Sequence, residues 1–131
     1  TREYIKKDKA SREFDAKLEA LAPLFEEHMQ MHIHAHRADD IFTAVRIAEE
    51  FGLDYCVVHC TQGHLIADRL AKAGVKAFSG PLISDRCKPE LKDSTPATPG
   101  VLSKAVVKTA IVTDHPVIPI QYLPLCAGLD S

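Results

Sequence analysis

The chain has 131 residues, of which 46% are hydrophobic and 26% charged, close to an average globular domain. This composition excludes disordered, collagen-like and low-complexity classes and predicts a single domain, residues 1–131. The net charge of −2, with no basic stripe, favours neither nucleic acid nor an anionic membrane as a partner. No apolar run approaches the roughly 20 residues that span a bilayer.

The first thirty residues are predicted to be helical, because apolar side chains recur at i, i+4, i+7 and i+11. These side chains are Phe14, Leu18, Leu21 and Phe25. Pro23 should interrupt the helix and start a second turn at its own position. Residues 1–9 carry few apolar side chains and should be a frayed end. Residues 1–29 are therefore interpreted as a helical lead-in.

From residue 30 to 131, short apolar strands alternate with amphipathic helices at spacings of roughly 20 to 30 residues, a pattern typical of βα units and a parallel sheet. The predicted strands cover residues 30–36, 55–60, 76–80 and 107–113. The predicted helices cover residues 39–51, 62–73, 101–105 and 120–129. Thr61 should cap the second helix, and Gly52 and Gly74 should end the first two.

A long polar connection, residues 81–100, follows the third strand. Loops of this length inside a compact domain are normally functional or disordered. Arg86 and Lys88 in this connection could bind a substrate carboxylate, or they could be solvated charges.

Three of the four strand ends carry a side chain that can bind a metal. The first strand ends around His34, the second at His59 and the fourth at Asp114. Because the carboxyl ends of parallel strands share one rim of the sheet, we expect these groups to converge there. Imidazole and carboxylate are the ligands expected for Zn²⁺ or a similar ion that keeps a catalytic water.

The other histidines have competing interpretations. His32 lies deeper in the first strand and is expected to be a buried, hydrogen-bonded core residue. His36 and Arg37 lie beyond the strand end, where they could contact substrate or solvent. His64 is expected to be a capping or surface group, and His28 a surface residue.

The four cysteines do not favour a disulfide scaffold, a structural zinc site or a catalytic thiol. The chain has four, too few for a disulfide scaffold, so we expect reduced thiols and a cytoplasmic location, with no cleavable signal visible. Cys56, His59, Cys60 and His64 cluster in sequence, but strand alternation puts both cysteines on the opposite face from His59. A structural zinc site, or Cys60 acting as a nucleophile with His59, is therefore disfavoured.

Three runs carry a resemblance to a known family: residues 33–41 (IHAHRADDI), 58–65 (VHCTQGHL) and 113–117 (TDHPV). They resemble the imidazolonepropionase-like amidohydrolases, metal-dependent hydrolases built on a (β/α)8 barrel. The resemblance extends over nearly all of residues 25–129 and matches the runs to barrel strands five, six and eight. A complete barrel needs about 200 to 250 residues. The resemblance therefore implies an α/β fold with about four parallel strands and flanking helices, a partial (β/α)8 barrel.

The resemblance also implies site roles. His34, His59 and Asp114 would bind a divalent metal, most simply Zn²⁺, with Mn²⁺ or Fe as options. Asp114 would take the proton of the attacking water, and His59 would act with the metal in catalysis. The implied reaction is hydrolysis of a C–N bond in a small linear or cyclic amide. Further candidate substrate contacts are His36, Arg37 and His115.

The chain departs from the family in several places. It lacks the His-x-His pair of strand one and the lysine or glutamate of strand four, so we expect this chain alone to be inactive. We also expect it to form a homo-oligomer or to associate with the missing half of the barrel. Val106 replaces a glycine at a position that favours positive φ. The alternative hypotheses are a non-catalytic half-barrel, a flavodoxin-like binding module and a structural domain whose histidines are core residues.

Overall fold

The central feature of the protein, in a computed structural model that describes residues 1–129, is one sheet of four parallel strands. The strands are β1 (Met31–Ala35), β2 (Tyr55–His59), β3 (Lys76–Ser79) and β4 (Lys108–Ile111), paired in sequential order. The predicted α/β class with about four parallel strands is confirmed. Sequential order is consistent with part of a (β/α)8 barrel, whereas a flavodoxin-like sheet reverses its strand order.

Seven α-helices precede or flank the sheet within the described residues. They are α1 (Arg2–Ile5), α2 (Ala16–Leu21), α3 (Pro23–Glu26), α4 (Ala38–Phe51), α5 (Ala67–Lys72), α6 (Thr98–Lys104) and α7 (Leu123–Gly128). Short 3₁₀ turns cover Gly63–Leu65, Pro89–Leu91 and Ile120–Tyr122. None of these helices is long and apolar enough to cross a bilayer.

The lead-in differs from the single interrupted helix that the apolar spacing predicts. Pro23 starts α3, as expected, but Phe14 precedes α2 and is 76% exposed. The first residues are not frayed, because the buried Tyr4 donates a hydrogen bond to Glu19 (2.7 Å) and lies under the Arg12 guanidinium. The apolar spacing predicted a continuous helix, and this prediction was wrong because Tyr4 makes tertiary contacts that such a helix does not include.

Three predicted helices also have different bounds, and the one expected over residues 120–129 is a 3₁₀ turn (Ile120–Tyr122) followed by α7. The helix expected over residues 62–73 is split into a 3₁₀ turn and α5, and Thr61 does not cap it, because its hydroxyl pairs with His36 instead. The helix expected over residues 101–105 begins earlier, at Thr98, with Pro99 in its first turn, a position that proline tolerates.

The two faces of the sheet have different surroundings. One face packs against α4, α5 and α6 around a core that includes Val57, Ala77, Leu70 and Leu102. The opposite face carries His34, Val58, Phe78 and Ala110 at paired register positions, with His32 one layer deeper. Both His32 and His34 are exposed there.

The expectation of a buried, hydrogen-bonded His32 was therefore wrong. Its ring meets the Phe78 ring edge-on, with the ring centroids 5.4 Å apart. Both rings lie on the face of the sheet that the described helices leave largely open. The alternation of the strand was read correctly, but the helices pack against the side opposite to His32.

Helix α6 ends in a left-handed residue that is not glycine. Val106 has φ 67°, its N–H donates to the Ser103 carbonyl, and the N–H of Val107 donates to the Leu102 carbonyl. This is a Schellman motif, and α4 and α5 end in the same way at Gly52 and Gly74. The positive φ expected at position 106 from the sequence is confirmed.

Substituting Val106→Gly is expected to stabilise the chain by about 1 kcal/mol. The left-handed conformation costs a side-chain-bearing residue roughly 1–2 kcal/mol, and the greater freedom of glycine in the unfolded chain returns about 0.4–1 kcal/mol of that. Val106 is 86% exposed, so little packing is lost. Urea unfolding measures the change. Val106→Ala keeps the Cβ atom and should gain less; equal stability of the two variants would contradict the strain argument.

Candidate functional site

The carboxyl ends of β1 and β2 bring His34 and His59 into direct contact. Nδ1 of His34 lies 3.0 Å from Nε2 of His59, and the rings meet edge-on with centroids 4.9 Å apart. His59 is buried, whereas His34 is exposed on the open face. The two histidines that the sequence placed at one rim therefore share a hydrogen bond.

A local break in the strand alternation positions His59. Both His59 (φ 71°) and Cys60 (φ 49°) adopt the left-handed region, so β2 turns sharply at its end. The turn leaves the His59 ring at the rim and packs Cys60 into the helix-side core beside Leu102. Cys60 is thus separated from His59 as predicted, but by the turn and not by strict alternation. Burial raises the pKa of the Cys60 thiol to about 12, which argues against a nucleophilic thiolate.

The backbone of the next strand fixes the tautomer of His59. The Gly80 carbonyl lies 2.8 Å from His59 Nδ1, and a carbonyl can only accept a hydrogen bond. Nδ1 therefore carries the proton, and Nε2 presents its lone pair towards His34. Metal-binding histidines are commonly oriented by such a bond from the other ring nitrogen.

The pair of nitrogens fits part of a metal site. With Zn–N bonds of about 2.05 Å, two imidazole ligands of a tetrahedral zinc hold their nitrogens about 3.3 Å apart, close to the observed 3.0 Å. Across residues 1–129, however, no group of three or more His, Cys, Asp or Glu side chains is placed to hold a metal ion. The structure therefore shows two adjacent donors, and Asp114 does not join them in a three-ligand cluster.

His36 lies against the same pair. Its ring stacks on His59 with centroids 4.5 Å apart and planes 13° apart, and its Nδ1 lies 2.8 Å from the Thr61 hydroxyl. Burial lowers the pKa of His36, and the nearby His59 and Lys88 lower it further. The neutral imidazole is therefore favoured beside the site.

A cavity of about 520 Å³ opens at this rim. His36, His59, Thr61 and Asp114 contribute to its lining, and most of the other lining residues belong to the connection between β3 and α6. Asp114 has φ 53°, a conformation that aspartate tolerates better than most residues, and its side chain is exposed. Volumes of 300–1,000 Å³ are typical of small-molecule sites, so the cavity can hold a small substrate.

Three other sequence candidates lie elsewhere. Arg37 forms a two-bond ion pair with Asp39 at the start of α4, and neither Arg37 nor His115 belongs to the described lining of the cavity. Nδ1 of His64 lies within hydrogen-bond distance of the Thr98 hydroxyl and the Thr61 carbonyl, so it links two βα units. All four cysteines are free thiols, and only Cys87 is exposed.

Sequence reasoning missed three contributors to this site: the Gly80 carbonyl, Thr61 as the partner of His36, and Gln62. Thr61 and Gln62 lie within the run 58–65, which carried the family resemblance. Their partners lie in other βα units, so no local pattern pointed to these roles.

The comparisons with known proteins point to a hydrolase class. No protein-family model and no curated protein matches the chain. Among solved structures, the chain is similar to an amidohydrolase from Thermotoga maritima MSB8, with 40% sequence identity and a TM-score of 0.86 over 96% of this chain. The chain spans 33% of the length of that protein. The similarity supports a relationship to the amidohydrolases.

Proposed function

We propose that the chain is part of a metal-dependent, imidazolonepropionase-like amidohydrolase that hydrolyses a C–N bond in a small linear or cyclic amide. The observation that carries this proposal is the 3.0 Å approach of His34 Nδ1 and His59 Nε2 beside a cavity at the carboxyl rim. The 40% identity to an amidohydrolase supports the same reaction class.

In this proposal His34 and His59 hold a divalent ion, most simply Zn²⁺, with Mn²⁺ or Fe as options. When bound, such an ion supplies Lewis acidity and makes a water nucleophilic at neutral pH. The Gly80 carbonyl keeps the proton of His59 on Nδ1 and thereby leaves Nε2 as the ligating atom. The Asp114 carboxylate, which lines the same cavity, accepts the proton of the attacking water. His36 and the cavity wall orient the amide.

The remaining groups of the active site would come from outside this chain. The open sheet face carries His32, His34 and Ala110 exposed beside the paired Phe78, and burial of such a face favours association. We propose a second copy of this chain or the other part of a barrel as the partner. The class of non-catalytic binding module remains the competing hypothesis.

Zinc titration of the purified 131-residue chain, followed by isothermal calorimetry, tests the proposal. The unmodified chain should bind one Zn²⁺, and His34→Ala and His59→Ala should each weaken binding at least about tenfold, because each removes one of two adjacent donors. Asp114→Asn reports whether the carboxylate also contributes to binding.

His32→Ala is the matched control, because His32 lies on the same face two residues from His34 and contacts Phe78 instead. Its zinc affinity should equal that of the unmodified chain, and circular dichroism should show that all variants fold. An equal loss in His32→Ala, or no zinc binding by the unmodified chain, would refute the metal assignment.

A further inference from the structure

Most of the residues that line the cavity belong to a segment with little regular structure. Residues 81–97 connect β3 to α6, and their internal order is limited to the 3₁₀ turn Pro89–Leu91 and a few turn hydrogen bonds. Most of this segment is exposed. It nevertheless supplies more than half of the cavity lining, namely Pro81, Ile83, Ser84, Asp85, Cys87, Lys88 and Leu91. The shape of the cavity therefore depends on what holds this loop against the rim.

Gln62 provides that attachment. Its side-chain oxygen accepts a hydrogen bond from the Ala38 N–H (2.8 Å), and its side-chain nitrogen donates one to the Asp93 carboxylate (2.8 Å). Its own backbone N–H donates to the His36 carbonyl (2.9 Å). One side chain therefore joins three consecutive βα units next to the His36–His59 stack.

The orientation of the Gln62 amide follows from its partners. A backbone N–H can only donate and an ionised carboxylate can only accept, so Oε1 must face Ala38 and Nε2 must face Asp93. Gln62 and Asp93 are both half-buried, so their bond competes less with water than a surface pair does. Within residues 1–129, no other side-chain hydrogen bond joins residues 81–97 to the two preceding βα units.

We propose that Gln62 is a positioning residue whose bond to Asp93 holds the loop of residues 81–97 in place as the substrate-facing wall of the cavity. This inference rests on the proposed function, because it takes the cavity to be the substrate site. The hydrogen bond between Gln62 and Asp93 is tested without any substrate or metal. Failure of zinc binding would refute the proposed function and leave the attachment intact, so the two failures are distinguishable.

Hydrogen exchange followed by mass spectrometry on the whole chain is the test. In Gln62→Glu the new carboxylate still accepts from the Ala38 N–H but has no proton for Asp93 and repels its charge. Exchange of peptides covering residues 82–95 should accelerate at least about tenfold. Exchange of β1 and β2 should not change. Gln121→Glu, at an exposed glutamine, is the matched control and should leave the loop unchanged.

A second substitution that restores the hydrogen bond distinguishes a positioning role of Gln62 from general destabilisation of the chain. Asp93→Asn alone keeps an acceptor for Gln62 and should exchange like the unmodified chain. In the double variant Gln62→Glu with Asp93→Asn, the asparagine amide can donate to the glutamate, so slow loop exchange should return. Loop exchange that stays slow in Gln62→Glu, or stays fast in the double variant, overturns the proposal. If Gln62→Glu does not fold, Asp93→Ala must accelerate loop exchange, and unchanged exchange overturns the proposal.

Discussion

Replacing Gly80 with alanine is expected to destabilise the chain by about 4 kcal/mol. Gly80 has φ 144°, a region that side-chain-bearing residues rarely adopt at a cost of roughly 1–3 kcal/mol. A Cβ atom there would also lie 2.0 Å from the carbonyl oxygen of Val112, an overlap that only a backbone shift can relieve. Overpacking of this kind costs a further 1–3 kcal/mol or so, so the loss would be a large fraction of the roughly 5–15 kcal/mol by which a typical domain is stable.

The close approach of Gly80 to Val112 results from the pairing of two strand ends next to His59. The Val112 N–H donates to the Ser79 carbonyl, which draws the end of β4 against the end of β3. The neighbouring Gly80 carbonyl is the partner of His59 Nδ1. A shift of this backbone should therefore weaken both the sheet and the orientation of His59.

Urea unfolding of Gly80→Ala and Gly74→Ala compares their losses of stability. The difference measures the effect of the overlap between the added Cβ atom and the Val112 carbonyl. Gly74 also has positive φ (64°), but a Cβ atom there would meet nothing within 4 Å, so its replacement should cost only about 1 kcal/mol. Equal losses in the two variants would show that the approach to Val112 contributes nothing. Gly128→Ala, in open space within α7 and without a positive φ, should stabilise the chain slightly, by at most about 1 kcal/mol.

The stability of the chain is expected to fall by about 2 kcal/mol between pH 7 and pH 10.5 because of Cys60. Burial raises the pKa of this thiol from 9.0 to about 12. Above pH 9 the unfolded chain releases the thiol proton while the folded chain keeps it. The contribution of Cys60 is therefore complete below pH 9 and is lost as the pH rises towards 12, at about 1.4 kcal/mol per pH unit.

Unfolding free energies measured across this range for Cys60→Ala and Cys87→Ala provide the comparison. Cys60→Ala should show a shallower decline with pH, whereas Cys87→Ala should retain the full decline because Cys87 is exposed. Burial also raises the pKa values of Tyr55 and Cys56, so part of the decline should persist in Cys60→Ala. Parallel declines in all three proteins would rule out the assignment to Cys60.

The sequence by itself determined the βα alternation, the parallel sheet and the rim at which His34 and His59 meet. These features follow from short-range periodicity and from the rule that parallel strands end on one side. Even the positive φ of Val106 was predictable, because the family that the sequence resembles has a glycine turn at this position. Each of these inferences needs only residues close together in the chain.

The tertiary structure alone decided how the site is assembled. The side chain of Gln62 bonds to Asp93, and His59 bonds to Gly80, across separations of 31 and 21 residues. Contacts of Tyr4, and not the apolar spacing, also determine the structure of the lead-in. His32 lies on the open face of the sheet. Such pairings depend on the register between strands and on which face the helices cover. Local periodicity specifies neither, so these contacts arise only when the βα units pack together.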